Sequence, residues 1–112
     1  MALIVPSTIT AAGLLANPQA VAASDTISGD QIPIGGVLIY RVINGGASPD
    51  NVAISDGGTT PAGNPGTVTP VAVANGTTRT FPITRNNVNR TTNLVTITHS
   101  FTTSVTYELQ RV

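Results

Sequence analysis

A chain of 112 residues is the size of one domain with a single hydrophobic core. Only 9% of its residues are charged and the net charge is zero, so no basic stretch indicates nucleic-acid binding. No cysteine is present, which excludes disulfides and thiolate metal sites, and no apolar run approaches the ~20 residues that span a bilayer. We therefore expect neither a nucleic acid nor a membrane as a partner.

Residues 1–30 are predicted to form an N-terminal arm. Its first residues form a short apolar strand that Pro6 stops, and residues 11–23, mostly Ala and Leu, allow one helical turn at most. The arm is apolar without clear alternation, which suits packing on a neighbouring subunit as well as on its own domain. Its candidate partner-binding residues are Leu3, Ile4, Val5, Leu14 and Leu15.

Residues 31–112 are predicted to form a β domain. Strand candidates bounded by Gly, Pro and Asn turns are residues 37–43, 51–55, 67–74, 78–84, 95–101 and 105–109. The first of these is apolar on both faces and is therefore predicted to be central. Residues 51–55 are expected to return as its hairpin partner, and Asn75-Gly76 predicts a second hairpin.

The polar segments between these strands are predicted to be exposed. Residues 56–66 are rich in Gly, Pro and Thr and form a loop, and residues 85–93 form a polar connection. With no amphipathic helix, the pattern predicts an all-β fold, either an antiparallel β-sandwich or a small β-barrel of six to eight short strands.

Catalytic and metal-binding patterns are weak. His99 is the only histidine and lies within an alternating strand, so we interpret it as a sheet residue rather than a general base. The five acidic residues are scattered, and Asp56 is interpreted as a turn former rather than a calcium ligand. We expect no enzyme activity, no cofactor and no metal site.

Three arginines complete the set of candidate partner-binding residues: Arg79, Arg85 and Arg90. Arginine is suited to forked contacts with the carboxylates or carbonyls of a partner. The alternative is that they are solvated turn residues.

The chain has no lysine, and its many short Thr, Ser and Asn side chains lose little entropy when covered. A neutral surface also lets copies of the chain approach one another, so the composition favours a homo-oligomer.

Four features of the sequence resemble a known family. They are the Met1-Ala2-Leu3-Ile4 start with its Ala-rich arm, the strand at residues 37–43 running into Asn44-Gly45-Gly46, the Asn75-Gly76 turn before Phe81-Pro82, and the strand that ends at Val112. Together they resemble the small all-β proteins of tailed bacteriophages that decorate or cement the capsid.

The resemblance implies a virion protein on the capsid surface, made in the host cytoplasm. Its partners would be the major capsid protein and copies of itself, with a trimer as the expected oligomer. The family has no catalytic residues, so no site residue is carried over. The alternatives are another head-completion or tail protein of a phage, or an adhesive or carbohydrate-binding β-sandwich module.

Overall fold

Two β-sheets packed face to face make up the fold in the computed structural model, which describes residues 2–57 and 68–111. The described strands, in chain order, are β1 (Ala2–Leu3), β2 (Ser7–Thr8), β3 (Gln19–Ala20), β4 (Ser24–Ser28), β5 (Leu38–Asn44), β6 (Asp50–Ile54), β7 (Val71–Val73), β8 (Thr78–Ile83), β9 (Leu94–His99) and β10 (Val105–Arg111). Two short 3-10 turns, Gly29–Gln31 and Arg85–Asn87, are the helical elements of the described residues. Neither is long or apolar enough to cross a membrane. Most of the predicted loop at residues 56–66 lies outside the described residues.

The strand order confirms the all-β prediction and selects the sandwich over the barrel. The first sheet has the order β1-β4-β9-β6-β7, and the second has the order β2-β10-β5-β8, with β3 also pairing with β10. The pairs β1–β4 and β2–β10 are parallel, and the remaining pairs are antiparallel. Among the described residues, each sheet has an edge strand at both ends, so the described strands do not form a closed barrel.

The core lies between the two sheets. Residues of β5 alternate between buried and half-buried, with Leu38, Tyr40 and Val42 fully buried. Val95 and Ile97 of β9 belong to the same cluster from the other sheet. Full burial of an aliphatic side chain of this size contributes about 1.5–3 kcal/mol. The prediction that β5 is central is confirmed, since β10 and β8 pair with its two sides.

Both predicted hairpins are wrong in their pairing. β6 does not pair with β5 but joins β9 and β7 in the first sheet. The turn at Asn75-Gly76 does form, with Gly76 at φ 77° and the Thr77 N–H donating to the Ala74 carbonyl. The strands beside it nevertheless diverge, because β7 joins the first sheet and β8 the second. Turn residues specify a chain reversal, whereas the buried faces decide which sheet each strand enters.

The predicted arm contributes four strands to the sheets of its own chain. The polar segment Ser24–Ser28, not predicted as a strand, is β4 and lies between β1 and β9, with Ile27 fully buried. The Ile4 N–H donates to the Thr26 carbonyl at 2.8 Å, which holds the first residues against β4. Residues 2–8 thus pass from the edge of the first sheet at β1 to the edge of the second at β2.

Candidate functional site

Of the five apolar arm residues predicted to contact a partner, four are exposed and one is buried. The exposed fraction is 62% for Leu3, 65% for Val5, 38% for Leu14 and 90% for Leu15. Ile4 is only 7% exposed and belongs to the core of its own chain, so its prediction as a partner contact is corrected. An extended backbone alternates its side chains, which turns Leu3 and Val5 outward when Ile4 points inward.

A groove lies where the arm crosses β10. β3 pairs with residues 106–107 and β2 with residues 110–111, so the described strands leave Glu108 and Leu109 without a strand partner on this side. The groove has a volume of about 260 Å³, and we call it the arm groove. Its lining residues include Val5, Leu14, Leu15, Tyr107, Glu108 and Gln110.

Glu108 is the one charged residue among the described residues that line the arm groove. It is 8% exposed, and its Oε1 lies 3.7 Å from Nη1 of Arg41 on the adjacent strand β5. The amide of Gln110 donates to the other carboxylate oxygen at a long 3.4 Å. Strong charge-assisted hydrogen bonds are about 2.7–2.9 Å long, so this buried carboxylate is loosely held.

The three predicted arginines are all exposed, and the structure brings two of them together. Arg85 and Arg90 line one cavity of about 310 Å³ with Asp56. Arg79 lies apart from this cavity, on the edge strand β8. Within the described ranges, none of the three forms an ion pair.

The connection that carries Arg85 and Arg90 is held by hydrogen bonds that sequence reasoning missed. The Asn87 side-chain amide donates to the Ser55 carbonyl at 3.0 Å, and the Ser55 hydroxyl donates to the Asn87 carbonyl at 2.8 Å. The Gly57 N–H donates to the Asn86 carbonyl, and a side chain at Gly57 would overlap the Val88 carbonyl oxygen. The asparagine-rich composition was the available signal, because asparagine commonly bonds to nearby backbone.

A polar cluster connects the two sheets inside the core. His99 Nδ1 lies 2.5 Å from the Asp50 carboxylate, and His99 Nε2 lies 2.8 Å from the Tyr40 hydroxyl. The neutral imidazole that satisfies both contacts donates from Nδ1 to Asp50 and accepts at Nε2 from Tyr40. Asp50 also accepts a hydrogen bond from the Phe101 N–H at 3.2 Å. His99 is therefore a sheet residue as predicted, and its buried partners were missed.

The electrostatics of this cluster keep its phenol groups neutral. Burial raises the pKa of the Tyr40 hydroxyl, and the negative charge of Asp25 raises it further. The same two causes raise the pKa of Tyr107, whose ring stacks on Tyr40 with a centroid distance of 5.6 Å. Tyr40, Asp50 and His99 are at most 6% exposed, so the cluster lies beneath the surface and joins the sheets.

The described residues contain no group of three His, Asp or Glu side chains that could hold a metal ion. Comparison of the chain with protein-family models, characterised proteins and solved structures finds no significant match in any of the three.

Proposed function

We propose that this chain is a structural virion protein that binds the outside of a bacteriophage capsid and stabilises it. The observation that carries the proposal is the uncharged, exposed part of the N-terminal arm. Every residue from Thr10 to Ala20 is exposed, none is charged, and the segment presents Leu14 and Leu15 to solvent. Contiguous exposed apolar side chains on a small protein indicate a surface that another protein covers.

Covering the apolar side chains of this segment contributes favourably to binding. Burying one leucine side chain contributes about 1.5–3 kcal/mol, and a few such residues dominate most interfaces. The surrounding Ala, Asn and Gln side chains lose little entropy when they become ordered. The arm therefore supplies the apolar contact of the proposed interface with the major capsid protein.

The second supporting surface is the connection that presents Arg85 and Arg90. Its hydrogen bonds to Ser55 and Gly57 hold the backbone in place before any partner binds. Preorganised arginines form forked bonds with carboxylates at a reduced entropic cost. Acidic side chains on a capsid surface are the expected partners of these two residues.

The proposal is tested with undecorated capsids assembled from the major capsid protein encoded with this chain. Saturable binding in co-sedimentation and an increased melting temperature of the capsid are expected, since a ligand of the assembled state stabilises it by mass action. Leu15→Ser should weaken binding at least about tenfold, given the apolar area that it removes.

Ile34→Ser is the matched control, because Ile34 is also 90% exposed but lies outside the arm. It should leave capsid binding within about twofold of the original chain. Circular dichroism checks that both variants are folded. Absence of saturable binding by the original chain, or equal losses in the two variants, would refute the proposal.

A further inference from the structure

Two residues of opposite charge, Arg79 and Glu108, lie toward opposite edges of the second sheet. β8 forms one edge of this sheet and carries Arg79. β10 lies on the other side, where the arm groove contains Glu108. Arg79 has no ion-pair partner among the described residues, and Glu108 is bonded only loosely. Among the described residues, Arg79 therefore has no partner of opposite charge, and Glu108 has Arg41 at 3.7 Å.

We propose that copies of this chain associate head to tail, with Arg79 of one copy inserted into the arm groove of the next. Its guanidinium group would donate to the Glu108 carboxylate, whose oxygens contact Arg41 at 3.7 Å and Gln110 at 3.4 Å. A buried carboxylate is stabilised when short charge-assisted bonds replace such loose contacts.

The mixed lining of the arm groove fits an arginine side chain. An arginine has an apolar stem and a charged end, and the groove is lined by Val5, Leu14 and Leu15 together with polar side chains that include Glu108. Leu15, 90% exposed in a single copy, would be covered by the neighbouring β8 edge. Threonines at positions 78 and 80 flank Arg79, so the like charge that the incoming guanidinium would meet is Arg41 beside Glu108.

Arg79 is the favoured anchor over the other two exposed arginines. Arg85 and Arg90 line a cavity that already contains the carboxylate of Asp56, whereas no described acidic side chain accompanies Arg79. The groove and the arginine lie on different surfaces, so the contact is heterologous and closes into a ring when the rotation between copies allows it. This contact supplies the oligomer in the proposed function but does not require a capsid.

The first test is sedimentation equilibrium of the full chain, without capsids, from micromolar to millimolar concentration. Concentration-dependent association is expected, and Arg79→Glu should raise its dissociation constant at least about tenfold. Glu108→Gln, which keeps the shape of the side chain, should also weaken association. Arg90→Glu is the matched control on an exposed arginine and should remain within about twofold of the original chain.

A second test depends on proximity rather than on loss of binding. The chain has no cysteine, so single cysteines can be introduced cleanly. An equimolar mixture of Leu15→Cys and Thr78→Cys chains should form a mixed disulfide dimer on mild oxidation, in preference to a mixture of Leu15→Cys and Thr91→Cys chains.

A monomer at all concentrations, equal effects of Arg79→Glu and Arg90→Glu, or equal cross-linking in the two mixtures would overturn the inference. A monomer that still binds capsids would overturn this contact alone and leave the proposed function standing.

Discussion

His99 lies at an inward-facing position of β9, where an apolar side chain would otherwise complete the core. Its two ring nitrogens bond to Asp50 in the same sheet and to Tyr40 in the opposite sheet. A buried polar cluster is stable only when each member finds its partners, and among the described residues no buried side-chain donor or acceptor is left without one. The cluster therefore aligns the two sheets at one relative position, which apolar contacts alone specify less strictly.

The raised pKa of Tyr40 predicts a loss of stability in alkaline solution. In the unfolded chain this phenol ionises near its ordinary pKa of 10.0, whereas in the folded chain it stays protonated to higher pH. Its contribution is thus fully present below pH 10 and is lost as the pH rises above that value. The free energy of unfolding should fall by up to about 1.4 kcal/mol per pH unit in this range.

Tyr40→Phe separates this effect from general alkaline unfolding. At neutral pH the variant should lose about 1–2 kcal/mol, because His99 Nε2 no longer accepts a hydrogen bond. Above pH 10 the free energy of unfolding of the variant, measured by urea titration, should decline less steeply than that of the original chain. The difference in stability between the two proteins should therefore shrink as the pH rises. Tyr107→Phe, a change on a half-buried ring, should retain most of the decline. Parallel curves for the original chain and Tyr40→Phe would contradict the assignment.

At the scale of elements, the N-terminal segment is held by very short strands. β1 and β2 each contain two residues, and both pair in parallel with a longer strand. Two residues of parallel pairing stabilise a segment weakly, so the buried side chain of Ile4 between them supplies most of the attachment. This arrangement leaves the neighbouring Leu3 and Val5 free to contact a partner.

Comparing Ile4→Ala with Leu3→Ala tests whether this attachment exists in the free protein. Ile4→Ala should lower the free energy of unfolding by about 2 kcal/mol or more, because it leaves a cavity in the core. Leu3→Ala, at the adjacent exposed position, should change it by no more than about 0.5 kcal/mol. Both values come from urea titrations followed by circular dichroism. Equal effects would mean that the segment does not rest on its own domain.

The extent to which sequence predicts these elements depends on their alternation. β9 and β10 were predicted because apolar residues recur at every second position, and β5 because it is apolar on both faces. β4 was missed because Ile27 is its only apolar residue, although Asp25 and Thr26 are also buried in it. Polar residues that are buried through specific partners leave no periodic hydrophobic signal.

The candidate site was predictable only where it depends on local sequence. Leu14, Leu15 and the three arginines, predicted as partner contacts, are exposed, and their binding to a partner stays a prediction. The burial of Ile4 was not predictable, since it follows from parallel pairing with β4 more than twenty residues away. The arm groove likewise forms only when the start of the chain meets β10 at its end. Long-range pairing of this kind has no local signature in the sequence.

At the scale of the whole molecule, the connections mostly cross between the sheets. β4 to β5, β5 to β6, β7 to β8, β8 to β9 and β9 to β10 each join strands in different sheets. Strands that are adjacent in sequence therefore mostly lie in different sheets, and most hydrogen-bonded neighbours other than β6 and β7 come from distant parts of the chain. β10, the last strand described, pairs with β5 along six residue positions and also holds β2 and β3.

This topology predicts slow, cooperative folding. The pairs β4–β9 and β10–β2 must close loops of roughly 70 and 100 residues before their hydrogen bonds contribute any stability. All-β domains dominated by such distant pairings fold in milliseconds to seconds, about a thousandfold or more slower than domains with local contacts. Stopped-flow refolding from urea, followed by tyrosine fluorescence, should therefore give a main phase in that range. A main phase in microseconds would mean that local hairpins form first, contrary to the observed division of sequence neighbours between the two sheets.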